Sequence, residues 1–380
     1  MRLDDLALSD EQLLLKRSAR EFLRDNCPYT TVAQLEQSEE GFSPMLWRQI
    51  ADLGWTGLVF PETYGGQGGS ILDLMVLAEE MGRALLPSPY FASVVLSGLV
   101  VLEAGNEEQK RLLIPGIAGG DSLYSLALLE PSSSYEADGV EMRAEARGGS
   151  HVLNGTKLLV PYAGGAQAFV CPARTSVASE PEAGVSLFVV PANAAGVSIV
   201  GLPNIAGAKL AAVQFRDVRI PRSALLGEVD GGWAPLARAL LRATVFQCAE
   251  ITGACESVAE FSIEYAKQRV QYEQPIGVHQ SIQWKCVDMT KAVYQTRVLT
   301  HTAAAALNDG EDGRLEVAMA KARASETAHF CAFEGHQIFS GAGQLVDHHL
   351  QLYSRRLKAM ELSLGDADYH LEKVAEAIGA

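Results

Sequence analysis

Residues 265–289 read YAKQRVQYEQPIGVHQSIQWKCVDM, and the interpretation of the whole chain is built around this stretch. Residues 234–270 are apolar almost all round, which predicts a long helix within a bundle. The stretch begins near the end of this helix. Residues 275–277, PIG, predict a turn, and a second helix is expected to start near His279. The stretch therefore predicts a tight connection between two helices of a bundle.

The composition is that of a folded protein with room for more than one domain. The chain has 380 residues, 48% of them hydrophobic and 20% charged, so a large core can be buried and long disordered segments are not expected. The formal net charge of −15 argues against nucleic acid or an anionic membrane as the partner. An anionic ligand is not excluded, because a phosphate site needs only a few local donors.

Targeting and cysteine patterns both favour a cytoplasmic protein. Residues 1–12 lack the apolar core of a signal peptide, and no apolar run is long enough to span a bilayer. The six cysteines are scattered and form no CxxC motif. We therefore expect buried free thiols and neither metal ligands nor disulfides.

The periodicity changes twice along the chain and predicts an α+β multidomain fold. Residues 1–122 are helical in pattern, with helix starts at Ser9, Ser43 and Asn106. Residues 123–228 predict a small all-β domain, and residues 229–380 predict helices again. The expected strands are 123–129, 151–160, 168–171, 185–190, 197–202 and 212–218. The expected long helices are 234–270, 279–309 and 313–339, and a last helical region at 346–378 is expected to be interrupted near Gly365.

Two local patterns need a choice between interpretations. Residues 61–68, PETYGGQG, look like a phosphate cradle, but no strand precedes them and the glycines lack the GxGxxG spacing. A tight turn between helices is therefore favoured, since only glycine tolerates such a backbone.

On the helix expected at 234–270, Glu256, Glu260 and Glu264 are four residues apart and predict its one solvated stripe.

A set of motifs follows in a definite order from residue 54 to residue 356. They are residues 54–68, 130–131, 153–157, 215–221, 227–232, 269–289, 337–343 and 355–356. Together they resemble the acyl-CoA dehydrogenase family over essentially the whole chain. The resemblance implies an N-terminal helical domain, a middle β-barrel or sandwich domain and a C-terminal four-helix bundle that also oligomerises.

The resemblance also implies a chemistry. Family members oxidise an acyl-CoA between its α and β carbons, with FAD as cofactor and an electron-transfer flavoprotein or similar acceptor as partner. The flavin carries the redox step, while the protein supplies a carboxylate base and orients the substrate. No metal is implied.

The base is missing from both positions where the family carries it. One position falls on Leu364 and the other on Leu241, and leucine cannot accept a proton. Glu361 and Asp366 lie near the first position. If residues 361–366 were helical, these carboxylates would point roughly 300° and 200° away from residue 364, so structural or solvated roles are favoured for them.

The side of the site that faces the flavin ring is also altered. Where the family reads Thr-Glu-Pro-x-Ala-Gly-Ser-Asp, residues 129–136 read LEPSSSYE, so Leu129 and Tyr135 replace hydroxyl residues. Where the family reads Lys-x-Trp-Ile-Thr, residues 157–161 read KLLVP. Pro161 has neither a hydroxyl nor a backbone donor. The resemblance therefore suggests that this chain's own ring pocket is not used.

The residues on the ADP side are better retained. Arg269 matches the family arginine that clamps the pyrophosphate, and Tyr272 takes the aromatic place against the adenosine. The remaining cofactor-side matches are Gln280, Gln337, Ser340 and Gly341. Glu273 puts a carboxylate close to the diphosphate and opposes this interpretation. The alternative is that Arg269 is a surface cation at a helix end and Gln337 a helix cap.

In this family the ADP part of each FAD is held across a subunit interface. The chain therefore resembles the non-catalytic subunit of bacterial heteromeric (α2β2) acyl-CoA dehydrogenases that act on steroid side chains. It would supply the ADP-side half of the FAD site to a catalytic partner chain. Two alternatives remain: a self-sufficient homotetramer with a displaced base, and a non-catalytic binding or scaffold relative.

Overall fold

The computed structural model describes residues 8–379, which form two compact units. The bundle unit consists of residues 8–34, 70–86 and 244–379, and the sheet unit of residues 35–69 and 87–243. The helices are α1 (Asp10–Asn26), α2 (Tyr29–Gln37), α3 (Pro44–Asp52), α4 (Ile71–Arg83), α5 (Leu99–Ala104), α6 (Glu107–Ala118), α7 (Trp233–Gln268), α8 (Gln280–Asn308), α9 (Arg314–Phe339), α10 (His349–Leu362) and α11 (Ala367–Ile378). The strands are β1 (Tyr124–Leu126), β2 (Arg143–Arg147), β3 (Ser150–Pro161), β4 (Ala168–Arg174), β5 (Val185–Pro191), β6 (Val197–Leu202), β7 (Leu210–Pro221), β8 (Leu225–Leu226), β9 (Val270–Gln271) and β10 (Gln274–Pro275).

The predicted helix starts are confirmed and are fixed by side-chain caps. The hydroxyl of Ser9 accepts from the backbone N–H of Gln12, and that of Ser43 accepts from Leu46 N–H, both at 3.2 Å. Asn106 caps α6 in the same way. Each cap satisfies a backbone donor that the first helical turn leaves free. No helix within residues 8–379 has the length and apolar character needed to cross a membrane.

In the bundle unit, α4 and α7 touch backbone to backbone at two glycines. A Cβ on Gly82 would lie 2.0 Å from the carbonyl oxygen of Glu250, and one on Gly253 would lie 1.8 Å from that of Glu79. No side chain fits at either point, which is why these positions are glycine. The two helices therefore cross in direct contact.

A buried network of ion pairs joins α1, α4, α7 and α8 in the same unit. Arg297 donates to both carboxylate oxygens of Glu79, at 2.9 and 3.2 Å, and lies 3.1 Å from Glu256. The network comprises Lys16, Arg20, Glu79, Glu80, Arg83, Glu256 and Arg297. The prediction that Glu256 is solvated is wrong, because Arg83 and Arg297 enclose its side chain; Glu260 and Glu264 are exposed as expected.

The sheet unit is built on one eight-stranded sheet. Its strand order is β6-β7-β3-β2-β4-β5-β8, with β1 pairing in parallel with β4. Its core gathers Phe169, Phe188 and Phe215, all almost completely buried. Strand β3 changes register against β7 between Lys157 and Val160, and this bulge lies in a stretch assigned to the flavin ring.

Several elements differ from the expectation for physical reasons. Helix α2 and strand β2 were not predicted. Helix α2 carries threonine and valine, which are weak helix formers, and β2 reads RAEAR, with only Ala144 buried. Residues 91–98 are a π-helix and only residues 99–104 are α-helical. The six cysteines are free, as predicted, although Cys286 is partly exposed. The α+β multidomain fold class is confirmed.

Candidate functional site

The two ADP-side segments start from adjacent helix ends in the bundle unit. The ring of Tyr265 on α7 stacks on that of Phe339, the last residue of α9, with centroids 4.2 Å apart and planes 25° apart. Arg269 follows Tyr265 by one helical turn, and Ser340 directly follows Phe339. The stacked pair therefore brings the Arg269 segment and the Ser340 segment to the same end of the bundle unit.

The Arg269 segment is a small hairpin rather than a simple turn. Strands β9 and β10 pair antiparallel, and Tyr272 and Glu273 form the two-residue tip with φ of 52° and 68°. The carbonyl oxygen of Arg269 accepts from the N–H of Ile276 at 2.8 Å, which closes the base of the hairpin. The Tyr272 side chain is 90% exposed. Its ring is therefore presented to solvent at the hairpin tip.

The other segment is exposed to solvent at the same end of the bundle unit. Gln337 is exposed on the last turn of α9, and Ser340 has φ of 54°. Gly341 is exposed, and a Cβ built on it would meet nothing within 4 Å. Gln280 is exposed at the first residue of α8. These groups offer a guanidinium, an aromatic ring and solvent-exposed backbone, which suit a diphosphate and an adenine ring.

In the sheet unit, the two ring-side stretches are neighbours. The N–H of Leu158 donates to the carbonyl oxygen of Leu129 at 2.7 Å. The Lys157 ammonium lies 2.6 Å from the Glu130 carboxylate, and both side chains are buried. Burial lowers the pKa of Lys157, while Glu130 opposes that shift. The two stretches are thus joined by a backbone hydrogen bond and a buried ion pair, and Leu129 and Pro161 contribute no side-chain hydroxyl.

The first base position, Leu364, lies in the connection between α10 and α11 and not on a helix. Its φ is +57° and its side chain is 8% exposed. The helical angles expected for Glu361 and Asp366 are therefore wrong, because a left-handed residue and Gly365 break the helix between them. Both carboxylates have structural roles: Glu361 pairs with Lys358 at 2.7 Å, and Asp366 caps α11. The second base position, Leu241, is a half-buried residue of α7.

Two residues that the sequence did not single out hold this connection. The Lys321 ammonium donates to the carbonyl oxygens of Glu361 and Gly365, at 2.9 and 2.7 Å. His370 Nε2 donates to the carbonyl oxygen of Leu364 at 2.8 Å. Burial lowers the pKa of Lys321 to about 8 and that of His370 to about 4. The available signal was a lysine inside the Ala-rich run 318–324, where an unpaired charge is costly.

Comparison with known proteins identifies the family. Models described as acyl-CoA dehydrogenase N-terminal, middle and C-terminal domains match residues 9–121, 125–218 and 230–379. Acryloyl-CoA reductase (NADH) of Anaerotignum propionicum is 30% identical over 100% of this chain and 97% of its own length.

Two solved structures are similar along almost their full length. A variant of the Tcur3481-Tcur3483 steroid ACAD is 28% identical with a TM-score of 0.86, covering 97% of this chain and 98% of that one. The ChsE4-ChsE5 complex from Mycobacterium tuberculosis has a TM-score of 0.90 and covers 98% of both chains. At 24% identity it shows the fold alone.

The chain belongs to the acyl-CoA dehydrogenase family. Its members are oxidoreductases that use FAD, and FAD is the cofactor of this fold. The assignment of individual residues of this chain to FAD stays a prediction.

Proposed function

We propose that this chain is a half-site subunit of a heteromeric, FAD-dependent acyl-CoA dehydrogenase. It supplies the ADP-side half of an FAD site, through Arg269, Tyr272, Gln280 and the residues 337–341, to a catalytic partner chain. The partner supplies the base. The observation that carries the proposal is the contrast between an open ADP-side surface and a leucine, fixed by its neighbours, at the base position.

The ADP half of FAD fits the exposed donors at the end of the bundle unit. A guanidinium beside solvent-facing backbone suits a diphosphate, and a fully presented tyrosine ring suits an adenine face. The ring half fits poorly, because Leu129, Leu159 and Pro161 offer no side-chain hydrogen bond. When bound, FAD would supply the redox chemistry, and this chain would orient its ADP end.

An apolar face lies next to this end and supports association with another chain. The exposed side chains on α8 recur every three to seven residues and include Trp284, Val287, Tyr294 and Val298. Two of them, Val287 and Tyr294, line a groove of about 630 Å³ whose walls come from α7, Gly277 and α8. Patches of this kind mark protein interfaces, and we assign this face to the catalytic partner.

We infer the substrate class from a solved relative. Similarity to a steroid ACAD at 28% identity favours a bulky acyl-CoA such as a steroid side-chain thioester. An electron-transfer flavoprotein or similar acceptor would reoxidise the complex.

A pair of matched variants tests the half-site role. Arg269→Ala should strip flavin from the complex with the catalytic partner, because the diphosphate loses its charged clamp. Arg314→Ala is the control: Arg314 is an exposed arginine at the first residue of α9 that pairs with Asp312 at 3.1 Å, and its loss should leave flavin content unchanged. Equal flavin content in both variants would instead favour a binding or scaffold relative.

The self-sufficient alternative makes a different prediction. If a displaced carboxylate acted as base, the chain alone would oxidise an acyl-CoA, and Glu361→Gln or Asp366→Asn would abolish that activity. Their structural roles, pairing with Lys358 and capping α11, weigh against it.

A further inference from the structure

A histidine caps the helix that follows the Ser340 segment. Residues 340–347 connect α9 to α10, and His348 directly precedes the first turn of α10. Its Nδ1 atom accepts from the backbone N–H of Leu350, the second residue of the helix, at 3.2 Å. His348 therefore satisfies a backbone donor that the first turn leaves free, at a position where serine, threonine, aspartate and asparagine are preferred.

The first turn of α10 in turn holds the Ser340 segment. The side-chain amide of Gln351 donates to the carbonyl oxygen of Gly343 at 2.7 Å. A Cβ built on Gly343 would lie 3.0 Å from a methyl carbon of Leu350, so the segment and the helix are in close contact there. The N–H of His348 donates to the carbonyl oxygen of Leu345 at 3.0 Å. An ordered first turn therefore anchors the segment two residues after Gly341.

The cap of α10 requires a neutral imidazole. A nitrogen that accepts a hydrogen bond carries no hydrogen, so the hydrogen of the neutral His348 ring is assigned to Nε2. A proton on Nδ1 would direct a second donor at the N–H of Leu350 and remove the cap. The added positive charge would also lie at the N-terminus of α10, where the helix dipole disfavours it.

The groups in contact with His348 are aromatic rings. Its ring stacks on that of His349, with centroids 4.3 Å apart and planes 24° apart, and lies 4.7 Å from the ring of Phe339. The ring of His349 in turn lies 4.4 Å from that of Phe261. Burial lowers the pKa of His348, and burial together with the charge of His348 lowers the pKa of His349 to about 4.

No element packed against this histidine pair supplies a counter-charge. The titratable side chains around the pair are Cys27 at the end of α1, Tyr29 on α2, Tyr265 on α7, His336 on α9 and Tyr353 on α10. None of these is negative at neutral pH. Among the described residues, no carboxylate acts appreciably on the three histidines, and the charge of His348 opposes protonation of the other two.

The charged residues closest in sequence do not change this balance. Asp347 is exposed, and Glu260 on α7 forms an ion pair with Arg83. The next charges on α10, Arg355 and Arg356, are cations and would add repulsion. A proton on His348 is therefore not compensated.

A second histidine beside the segment can accept a proton without losing its contacts. His336 pairs through Nδ1 with the side-chain amide of Gln344 at 3.3 Å and through Nε2 with the hydroxyl of Ser354 at 2.8 Å. If Nδ1 takes a proton, the Gln344 amide can turn its oxygen towards it. The backbone N–H of Leu350 has no such alternative, so His348 is the histidine whose protonation breaks a contact.

We propose that His348 is a positioning residue that holds the ADP-side surface at neutral pH and releases it when its imidazole takes a proton. The Ser340 segment then loses its anchor on α10, and the ADP end of FAD dissociates. The identity of that ligand rests on the proposed function. A histidine in the unfolded chain has a pKa of about 6.5, and burial lowers the folded value. The contribution of the cap to stability is therefore complete above that pH and is lost as pH falls.

Hydrogen exchange of the purified full chain tests the anchor. It is measured by mass spectrometry at about pH 7.5 and about pH 5 and corrected for the intrinsic rates. In the unaltered chain, protection of the amides in residues 343–353 should fall about tenfold at the lower pH. His348→Asn and His348→Ser should each remove most of this fall, because both side chains cap helices and neither takes a proton.

An equivalent histidine provides the matched control. His279 precedes α8 in the same position but makes no side-chain cap bond. His279→Asn should therefore leave the fall in protection at residues 343–353 as it is in the unaltered chain.

Flavin retention tests the link to FAD. In the complex with a catalytic partner, flavin bound at about pH 7.5 should be released at about pH 5, and His348→Asn should retain it. Equal protection of residues 343–353 at both pH values, a fall that persists in His348→Asn and His348→Ser, or flavin retained by the unaltered complex at the lower pH would each overturn the proposal. Failure to obtain any flavin-binding complex would overturn the half-site function and the FAD part of this proposal, while hydrogen exchange would still decide whether His348 anchors the segment.

Discussion

His370 Nε2 donates a 2.8 Å hydrogen bond to the main-chain oxygen of Leu364. Leu364 and Gly365 are consecutive left-handed residues, with φ of +57° and +91°, and leucine adopts that region only at a cost. Lys321 holds the Gly365 oxygen from the other side at 2.7 Å. The backbone at the position predicted to match the family's base is therefore fixed by its surroundings, although a leucine side chain cannot act as a base.

Replacing the lysine of this arrangement should destabilise the chain. Lys321→Met leaves the carbonyl oxygen of Gly365 without its donor and that of Glu361 with the Ser325 hydroxyl alone, and we expect a loss of about 2–4 kcal/mol in the free energy of unfolding. Chemical denaturation followed by circular dichroism measures it. The control is Lys358→Met, which removes an exposed cation paired with Glu361 and should cost under about 1 kcal/mol. Equal losses would mean that Lys321 does not hold the connection.

Restoring a carboxylate at the base position should not create activity. Leu364→Glu places the missing group on a backbone that is already fixed, but the ring-side positions still lack their hydroxyls. We expect no acyl-CoA-dependent reduction of a dye acceptor by the purified variant. Leu362→Glu, at an exposed position two residues earlier, controls for added charge. Activity in Leu364→Glu alone would show that this chain has a working ring pocket.

The buried Glu79–Arg297 pair should control stability at low pH. Burial acts to raise the pKa of Glu79, but Arg297 and Lys16 outweigh it and hold that pKa at about 2. A glutamate in the unfolded chain has a pKa of about 4.3. The contribution of the Glu79–Arg297 pair to stability is therefore complete above that pH and is lost as pH falls towards 2. Glu79→Gln should lower the free energy of unfolding by about 3 kcal/mol at pH 7 and reduce its further decrease at acid pH. Urea denaturation across this pH range measures both effects, with Glu264→Gln, at an exposed position, as the control. An unchanged decrease at acid pH in Glu79→Gln would contradict the assignment.

Glu250 should have the opposite effect on stability. Its folded-state pKa of about 8 exceeds the unfolded value of about 4.3, so the folded chain loses stability as pH rises between these values. Glu250→Gln removes that titration and should be more stable than the unaltered chain at pH 8, with little difference near pH 4. Thermal unfolding at both pH values tests this. A variant that is less stable at pH 8 would show that the carboxylate is satisfied in the fold.

Much of the fold could be predicted because local signals agree with it. Capping residues at Ser9 and Asn106 mark helix starts, and alternating apolar residues mark β6 at its observed bounds, Val197–Leu202. The π-helix at residues 91–98 could not be predicted in this way, because its periodicity differs only slightly from that of an α-helix. Strand β2 was missed because its pairing with β3 gives it order that its own polar sequence does not suggest.

The candidate site could be predicted only where a sequence motif marks its residues. Arg269 and the glycine-rich run after Gln337 could be identified from motifs, but the hairpin that presents Tyr272 depends on long-range pairing. Lys321 and His370 act through backbone oxygens at 2.7 and 2.8 Å, which no sequence pattern records. Glu256 was assigned to solvent because helix spacing does not reveal that Arg83 and Arg297 cover it.

Flavin content tests the half-site claim most directly. The chain would be purified alone and after co-expression with candidate catalytic acyl-CoA dehydrogenase subunits, and bound FAD would be measured by absorbance together with acyl-CoA oxidation. The half-site function predicts a colourless, inactive chain alone and a yellow, active complex with one FAD for each pair of unlike chains. A yellow and active chain in the absence of any partner would contradict it.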